Sequence, residues 1–345
     1  MEQQHQTTRG GCVTLEQILA ALQADRRIAG VDLSGLDLSG LDLSACSFRD
    51  VNLSSANLSG ARLVDADFQN VNLTDASLRG ATARRAAFRH VEWSHVSATQ
   101  ADLSQAFFSN CDLAKALFIG ALLVRADMHE CRFVGTDFTR ANLTRWTAMG
   151  ADLRSAIFVG ASLQTAYLKG CVLTAQDFRE CDLTMTVMNE AQLQQANFSG
   201  AMLDRTSLIG AQLQGAILTG VHGTYTALIR AELEQADLSG ASFEMADASE
   251  ANFNRAQAEG MRWRQSVLRG ANWQHASLKR TRLTECDLSH ADVSGADCSY
   301  SDWRGTNIHA LQQDQTRWDG ANLTGARPTD RELERAEHWR PSVVK

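Results

Sequence analysis

The side chains with the most chemistry in this 345-residue chain are nine histidines and eight cysteines. His90 with His95, and His222 with Tyr225, come nearest to catalytic pairings. Neither pair has a nucleophile or a third group placed to orient it, so both read as scattered polar residues. There is no P-loop, HExxH, nucleophile elbow or dinucleotide glycine signature. Six cysteines (Cys46, Cys111, Cys131, Cys171, Cys181 and Cys286) share one register in multiples of five, and Cys298 lies two residues off it. No CxxC pair or mixed Cys/His set has zinc spacing. No catalytic residue, cofactor or metal is assigned on this basis, and an enzyme is the least supported class.

The register shared by the cysteines belongs to the whole chain. Of the sixty positions at intervals of five from Val31 to Ala326, fifty-four hold Ala, Cys, Ser, Thr or Val. Two residues after each, fifty-one of sixty hold Leu, Phe, Met, Trp, Ile or Val. A period of five fits neither the helix, with about 3.6 residues per turn, nor the strand, which alternates with period two. The chain must therefore turn a corner every pentad. If four pentads make one roughly square coil, the small and the central residue point inward and the rest face water. One such coil cannot bury its apolar residues, but a stack can.

Val31-Asp32-Leu33-Ser34-Gly35 and Ala151-Asp152-Leu153-Arg154-Ser155 show the motif undisguised, and on it the chain resembles the pentapeptide-repeat family over about residues 31–328. The resemblance implies an all-β solenoid, a right-handed quadrilateral β-helix of about 15 coils. At a strand spacing of about 4.8 Å the stack would run about 70 Å. Three segments are expected: residues 1–30 as tail and capping helix, 31–328 as the repeat, and 329–345 as a C-terminal capping helix and tail. Thr14-Leu15-Glu16-Gln17 and Thr329-Asp330-Arg331-Glu332 read as capping boxes. They open helices from Leu15 to about Arg26 and from about Asp330 to Trp339, the second with Leu333, Ala336 and Trp339 inward. Each helix covers a terminal coil that would otherwise offer unpaired backbone groups. A homodimer joined at the C-terminal end is the other use of the second helix.

Irregular pentads read as repacking. Trp146 at a small position is offset by Ala148 at the centre of the same pentad, and Trp93 fills the space left by Ala83 and Ala98. Gly223 leaves a central position empty and predicts a local weakness or cavity. Cys111 and Cys131, twenty residues apart, stack in adjacent coils at a separation that permits a disulfide. With a polar N-terminus lacking a secretory h-region, the reading is a pair of reduced thiols. No apolar run is long enough to span a bilayer. The cytoplasm is the expected compartment, with signal-independent export left open. Only Pro328 and Pro341 are proline, at or beyond the end of the repeat, as expected where stacked coils use every backbone N–H.

Function must then lie on the surface. Phe107, Leu117, Ile119, Leu122 and Val124 occupy outward positions of one coil. Ile157 and Val159 repeat the Leu117/Ile119 pair forty residues later, and Tyr167 continues the Phe107 column. These residues are the candidate partner-binding surface, since a monomer has little reason to expose them. Asp32, Asp37, Asp42, Asp65 and Asp67 are the acidic-face candidates, followed by a basic collar of Arg79, Arg84, Arg85, Arg89 and His90. A net charge of −7 argues against direct nucleic-acid binding. The leading reading is a non-enzymatic scaffold or adaptor for protein partners, in its most specific form a bacterial type VI secretion accessory factor, which the stretch from Asp32 to Leu43 resembles. The alternative comes from family members that mimic duplex DNA and occupy the groove of gyrase or topoisomerase.

Overall fold

In the computed structural model, residues 25–339 are described. The expected N-terminal helix and its capping box lie outside them, apart from the last two helical positions. The chain divides into two compact units, Met1–Asn142 and Leu143–Lys345. Among the described residues each is built as a parallel β-solenoid in which a residue pairs with those twenty before and after it.

In the first unit this pairing is densest on one side of each coil. There β1 (Arg27–Ala29), β2 (Ser47–Arg49), β3 (Asp67–Gln69), β4 (Ala87–Arg89), β5 (Phe107–Ser109) and β6 (Asp127–His129) stack in that order, with Phe48 opposite Phe68 and Phe88 opposite Phe108. In the second unit the equivalent ladder is β7 (His222–Thr224), β8 (Ser242–Glu244), β9 (Arg262–Arg264) and β10 (Arg282–Thr284). The other sides are held by single bridges such as Asn57↔Ser77 and Gln192↔Gln212.

One pentad explains why five residues make one side. In Ala56–Gly60 the small residue closes the preceding corner, its N–H donating to Leu53 C=O at 3.0 Å. Asn57 N–H reaches back to Leu36 C=O at 2.9 Å, and Leu58 N–H reaches forward to Ser77 C=O at 2.7 Å. The fifth residue takes left-handed backbone: Gly60 has φ 66° and, one corner earlier, Ser55 has φ 58°. Backbone donors are thus spent between coils and within corners, and a proline inside the repeat would forfeit one.

The inward rows are buried and mostly apolar. Phe48, Phe68, Phe88 and Phe108 stack at centroid separations of 4.7, 4.9 and 4.8 Å, within the range favoured by offset aromatic pairs. Trp93 is fully buried, edge-on to Phe88 at 4.8 Å and tilted against Phe108 at 5.3 Å, and Ala83 and Ala98 are buried in the same unit. In the second unit Trp146 and Ala148 are both buried, in keeping with a volume-conserving exchange. Where threonine takes the small position its hydroxyl is satisfied: Thr186, Thr206 and Thr226 donate to the carbonyls of Leu163, Leu183 and Leu203 at 2.7, 2.8 and 2.9 Å.

Gly223 corrects an expectation. It leaves no cavity, because Phe243 of the next coil and Thr226 occupy the room: a Cβ here would sit 3.1 Å from the Phe243 ring and 2.2 Å from Thr226 Oγ1. Gly223→Ala should therefore destabilise the second unit by about 1–3 kcal/mol through overpacking. Urea unfolding monitored by tryptophan fluorescence checks this, with Ala248→Gly as a control of the opposite size change.

Candidate functional site

Aspartate at the second pentad position is first of all used by the fold. Asp32 Oδ1 accepts the Ser34 N–H at 3.0 Å and the Asn52 amide at 2.9 Å, and Asp37 does the same with Ser39 and Asn57 at 3.1 and 2.9 Å. Asp42 accepts the Ser44 N–H at 3.0 Å and faces Arg62 at 3.9 Å. Asn52 fastens the Ser54 N–H in the same way at 3.1 Å. Either side-chain oxygen can close the corner, which is why the sequence interchanges Asp and Asn. These hydrogen bonds hold all three carboxyls below the usual range, led by the Ser34 N–H for Asp32 and by the Ser39 and Ser44 side chains for Asp37 and Asp42.

The basic collar answers the next acids. Arg85 grips Asp65 with two bonds of 2.7 Å, Arg89 pairs with Asp67, and Arg84 meets Asp102 at 2.5 Å. Arg89 also lies over the Phe107 ring, 5.7 Å from its centroid. Of the five acidic candidates, Asp65 and Asp67 are thus paired with arginines of the following coil and Asp42 lies near Arg62, whereas the inter-coil partners of Asp32 and Asp37 are the neutral Asn52 and Asn57.

Register sorts the apolar candidates by side. In the first unit Leu117 and Leu122 are 37% and 41% exposed, while Phe107, Ile119 and Val124 are half-buried. Leu117 bridges Ser97 and Asp137, Leu122 bridges Asp102 and Asn142, and Phe107 pairs with Ala87 and Asp127. Leu117 with Ile119 holds one side and Leu122 with Val124 the next, around the corner at Gly120 (φ 63°). Phe107, half a coil away, faces the opposite side. In the second unit Ile157, Val159 and Tyr167 are exposed. Tyr167, between Thr147 and Val187, is half a coil from Ile157.

One exposed column escaped the sequence reading. Met185, Arg205, Tyr225 and Met245 occupy the same corner of successive coils, with left-handed backbone at each. The two methionines and the tyrosine are exposed, and Arg205 lies over the Tyr225 ring at 5.8 Å. Two methionines and a tyrosine at a position otherwise held mostly by Gly or polar residues were the available signal.

At the C-terminal end, a cleft of about 520 Å³ is lined by His290, His309, Glu337, Arg269, Asp287 and Arg327 among others. Its far wall is helix α1 (Arg331–Glu337). The N-cap is Asp330, whose carboxylate accepts from Glu332 and Leu333 N–H at 2.9 and 3.2 Å. This is one residue later than the expected capping box, because the Thr329 hydroxyl is engaged by Ala310 N–H at 3.1 Å. Leu333, Ala336 and Trp339 were expected inward, yet all three are exposed, Trp339 by 71%. The helix docks through polar groups instead: Glu337 reaches His290 Nε2 at 3.2 Å and the buried His309 Nε2 at 3.2 Å.

Two imidazoles and a carboxylate with donor atoms within 4.8 Å of one another have the composition of a metal site, but the hydrogen bonding does not fit one. Asp330 N–H donates to His309 Nδ1 at 3.1 Å, so neutral His309 keeps its proton on Nε2 and gives it to Glu337. A cation on Nε2 would move that proton to Nδ1, against the Asp330 N–H. The cluster is a clasp. The sequence hid it because His290 and His309 are nineteen rather than twenty residues apart and Glu337 comes from outside the repeat.

The His309 hydrogen bond, with the charge of His290 behind it, holds the Glu337 carboxyl below the usual range. A carboxyl depressed in the folded state adds stability above its unfolded pKa and loses it as pH falls through the folded value. The protection factors of the α1 amides, with the intrinsic pH dependence of exchange divided out, should therefore fall on acidification through the carboxylate range while those of the β7–β10 amides hold. Glu337→Ala should raise α1 exchange severalfold at neutral pH and remove that pH dependence, as hydrogen–deuterium exchange would show.

No helix among the described residues is long and apolar enough to cross a membrane. The family model for pentapeptide repeats matches eight times, from residues 28–65 to 264–297. No curated protein sequence is matched. Among solved structures, the chain is similar to a trypsin-treated form of QnrB1, a plasmid-mediated fluoroquinolone resistance protein. The two are 18% identical, with 44% of this chain and 95% of that one covered and a TM-score of 0.32. It is also similar to HetL, involved in heterocyst differentiation regulation in the cyanobacterium Nostoc sp. strain PCC 7120, with 24% identity, coverage of 70% and 89%, and a TM-score of 0.20.

Proposed function

Because the chain belongs to the pentapeptide-repeat family, whose β-solenoids are generally non-enzymatic structural or interaction proteins, we propose that it is a cytoplasmic, non-enzymatic scaffold that binds protein partners through its apolar sides. The observation that carries this reading is the exposure of Leu117 and Leu122 in the first unit and of Ile157, Val159 and Tyr167 in the second, at positions the repeat normally gives to polar residues. Apolar residues free of any role in the core are what a partner would desolvate. Phe107, Ile119 and Val124 flank them as half-buried support.

The DNA-mimic alternative needs negative charge sustained from coil to coil. Asp42, Asp65 and Asp67 are answered by Arg62, Arg85 and Arg89, which leaves Asp32 and Asp37 as a short acidic end. The likeness to type VI secretion accessory factors rests on the stretch from Asp32 to Leu43, where the repeat dictates most residues, so the class of partner is left to experiment.

Leu117→Glu with Ile157→Glu should abolish partner capture in a pull-down while the circular dichroism spectrum stays unchanged. Replacing Asp32, Asp37 and Asp42 by Asn, which preserves the corner hydrogen bonds, should leave capture intact. Capture of gyrase or topoisomerase lost only in the Asn variant would reverse the ranking.

The C-terminal end supports a second contact. In the last coil Leu323 is 40% exposed, and Trp318, edge-on to Trp303 at 5.1 Å, is only half-buried. Their inward row lacks a following coil among the described residues. We assign this end to a homodimer contact. Leu323→Glu should convert a dimer to a monomer in light scattering, and a monomeric wild type would remove the assignment.

A further inference from the structure

Cys111 and Cys131 hold the same small position in successive coils of the first unit. Arg132 N–H donates to Cys111 C=O at 3.0 Å, and Asp112 pairs with Arg132 in parallel register. The two cysteine backbones are therefore one strand spacing apart, about 4.8 Å, inside the Cα separation of about 4.4–6.8 Å that a disulfide accepts. Cys111 is buried and Cys131 half-buried, and both are free thiols. Backbone carbonyls lie near both, Phe88 O at 3.4 Å and Ser109 O at 3.5 Å from Cys111 Sγ, and His129 O at 3.4 Å from Cys131 Sγ.

The remaining described cysteines lack this arrangement. Cys171 stacks between Ala151 and Ala191, Cys181 between Ala161 and Ala201, and Cys286 between Ser266 and Thr306. Cys46 precedes Ala66, and Cys298 lies between Leu278 and Trp318. Burial pushes Cys171 up to about 11 and Cys181 and Cys286 up to about 12, holding them as inert thiols. In the pair the neighbouring thiol shifts each group, drawing Cys111 below the usual thiol range and, together with burial, pushing Cys131 above it. The pair titrates as a unit, and its first proton leaves more readily than that of a lone buried thiol.

We propose that Cys111 and Cys131 form a covalent-modification site at which a hydroperoxide installs a disulfide between successive coils. The Cys111 thiolate attacks one peroxide oxygen, the O–O bond breaks, and hydrogen peroxide leaves Cys111 as a sulfenic acid plus hydroxide. The Cys131 sulfur then attacks the Cys111 sulfur: the S–S bond forms, the S–O bond breaks, and the departing hydroxyl takes the Cys131 proton as water. In sum, two thiols and one hydrogen peroxide give one disulfide and two waters, and a dithiol reductant reverses the change. The ring so closed spans residues 111–131, the stretch that carries Leu117, Ile119, Leu122 and Val124.

The test uses the full chain, hydrogen peroxide and tryptic mapping without reduction, since Lys115 and Arg125 separate the two cysteines in the digest. The expected result is a linked pair of peptides two hydrogens lighter than their sum, lost on treatment with dithiothreitol, together with a raised thermal midpoint. In Cys131→Ala, dimedone should trap a sulfenic acid at Cys111. In Cys111→Ala, Cys131 should stay unmodified. Alanine is the commonest residue at this position, so both variants keep the repeat. The proposal is overturned if both thiols persist under peroxide, if Cys171 or Cys181 is oxidised as fast, or if Cys131 is trapped equally well without Cys111.

Discussion

Everything in this protein hangs on the hydrogen bond that ties a residue to the coil twenty residues away. It is made by backbone, so it asks little of any one side chain, but it demands that every corner be turned in five residues. The left-handed residue at the end of each pentad meets that demand. Side chains then divide by position rather than by secondary-structure type. Small residues let the corner close, large ones fill the interior, and those between are left to the solvent.

That division explains how much of the molecule could be read in advance. The period alone implied a stack of coils, and the exchange of Trp146 with Ala148 was visible as conserved volume within one pentad. Gly223 misled because a vacant central position looks like a hole when its own coil is considered alone, whereas Phe243 reaches across from the next. The C-terminal helix misled for a related reason. Its apolar residues suggested inward packing, but docking depends on Glu337, from outside the repeat, meeting two histidines spaced nineteen rather than twenty residues apart. Surface groupings were the least legible. Phe107 and Leu117 are close in sequence and carry the same kind of side chain, yet half a coil places them back to back.

Charge follows a different logic from shape. An aspartate at the second position is recruited by the corner that follows it, so its presence reports folding before it reports a partner. Arg85 and Arg89 then decide whether the next carboxylates are visible from outside. Cysteine is similar: at most sites it is a stand-in for alanine, and only the coincidence of two in one column gives it reactivity.

The twenty-residue coil also sets which insertions and deletions this architecture tolerates. Losing five residues within a unit would keep every inward residue inward, but it would turn all that follows by a quarter of a coil. The column of Met185, Arg205, Tyr225 and Met245 would be split across two corners if the cut fell between its members. Only a change of twenty residues would lengthen or shorten the stack and leave each side continuous. Surfaces on this scaffold are therefore best remodelled by whole-coil duplication, whereas the core would accept changes in steps of five.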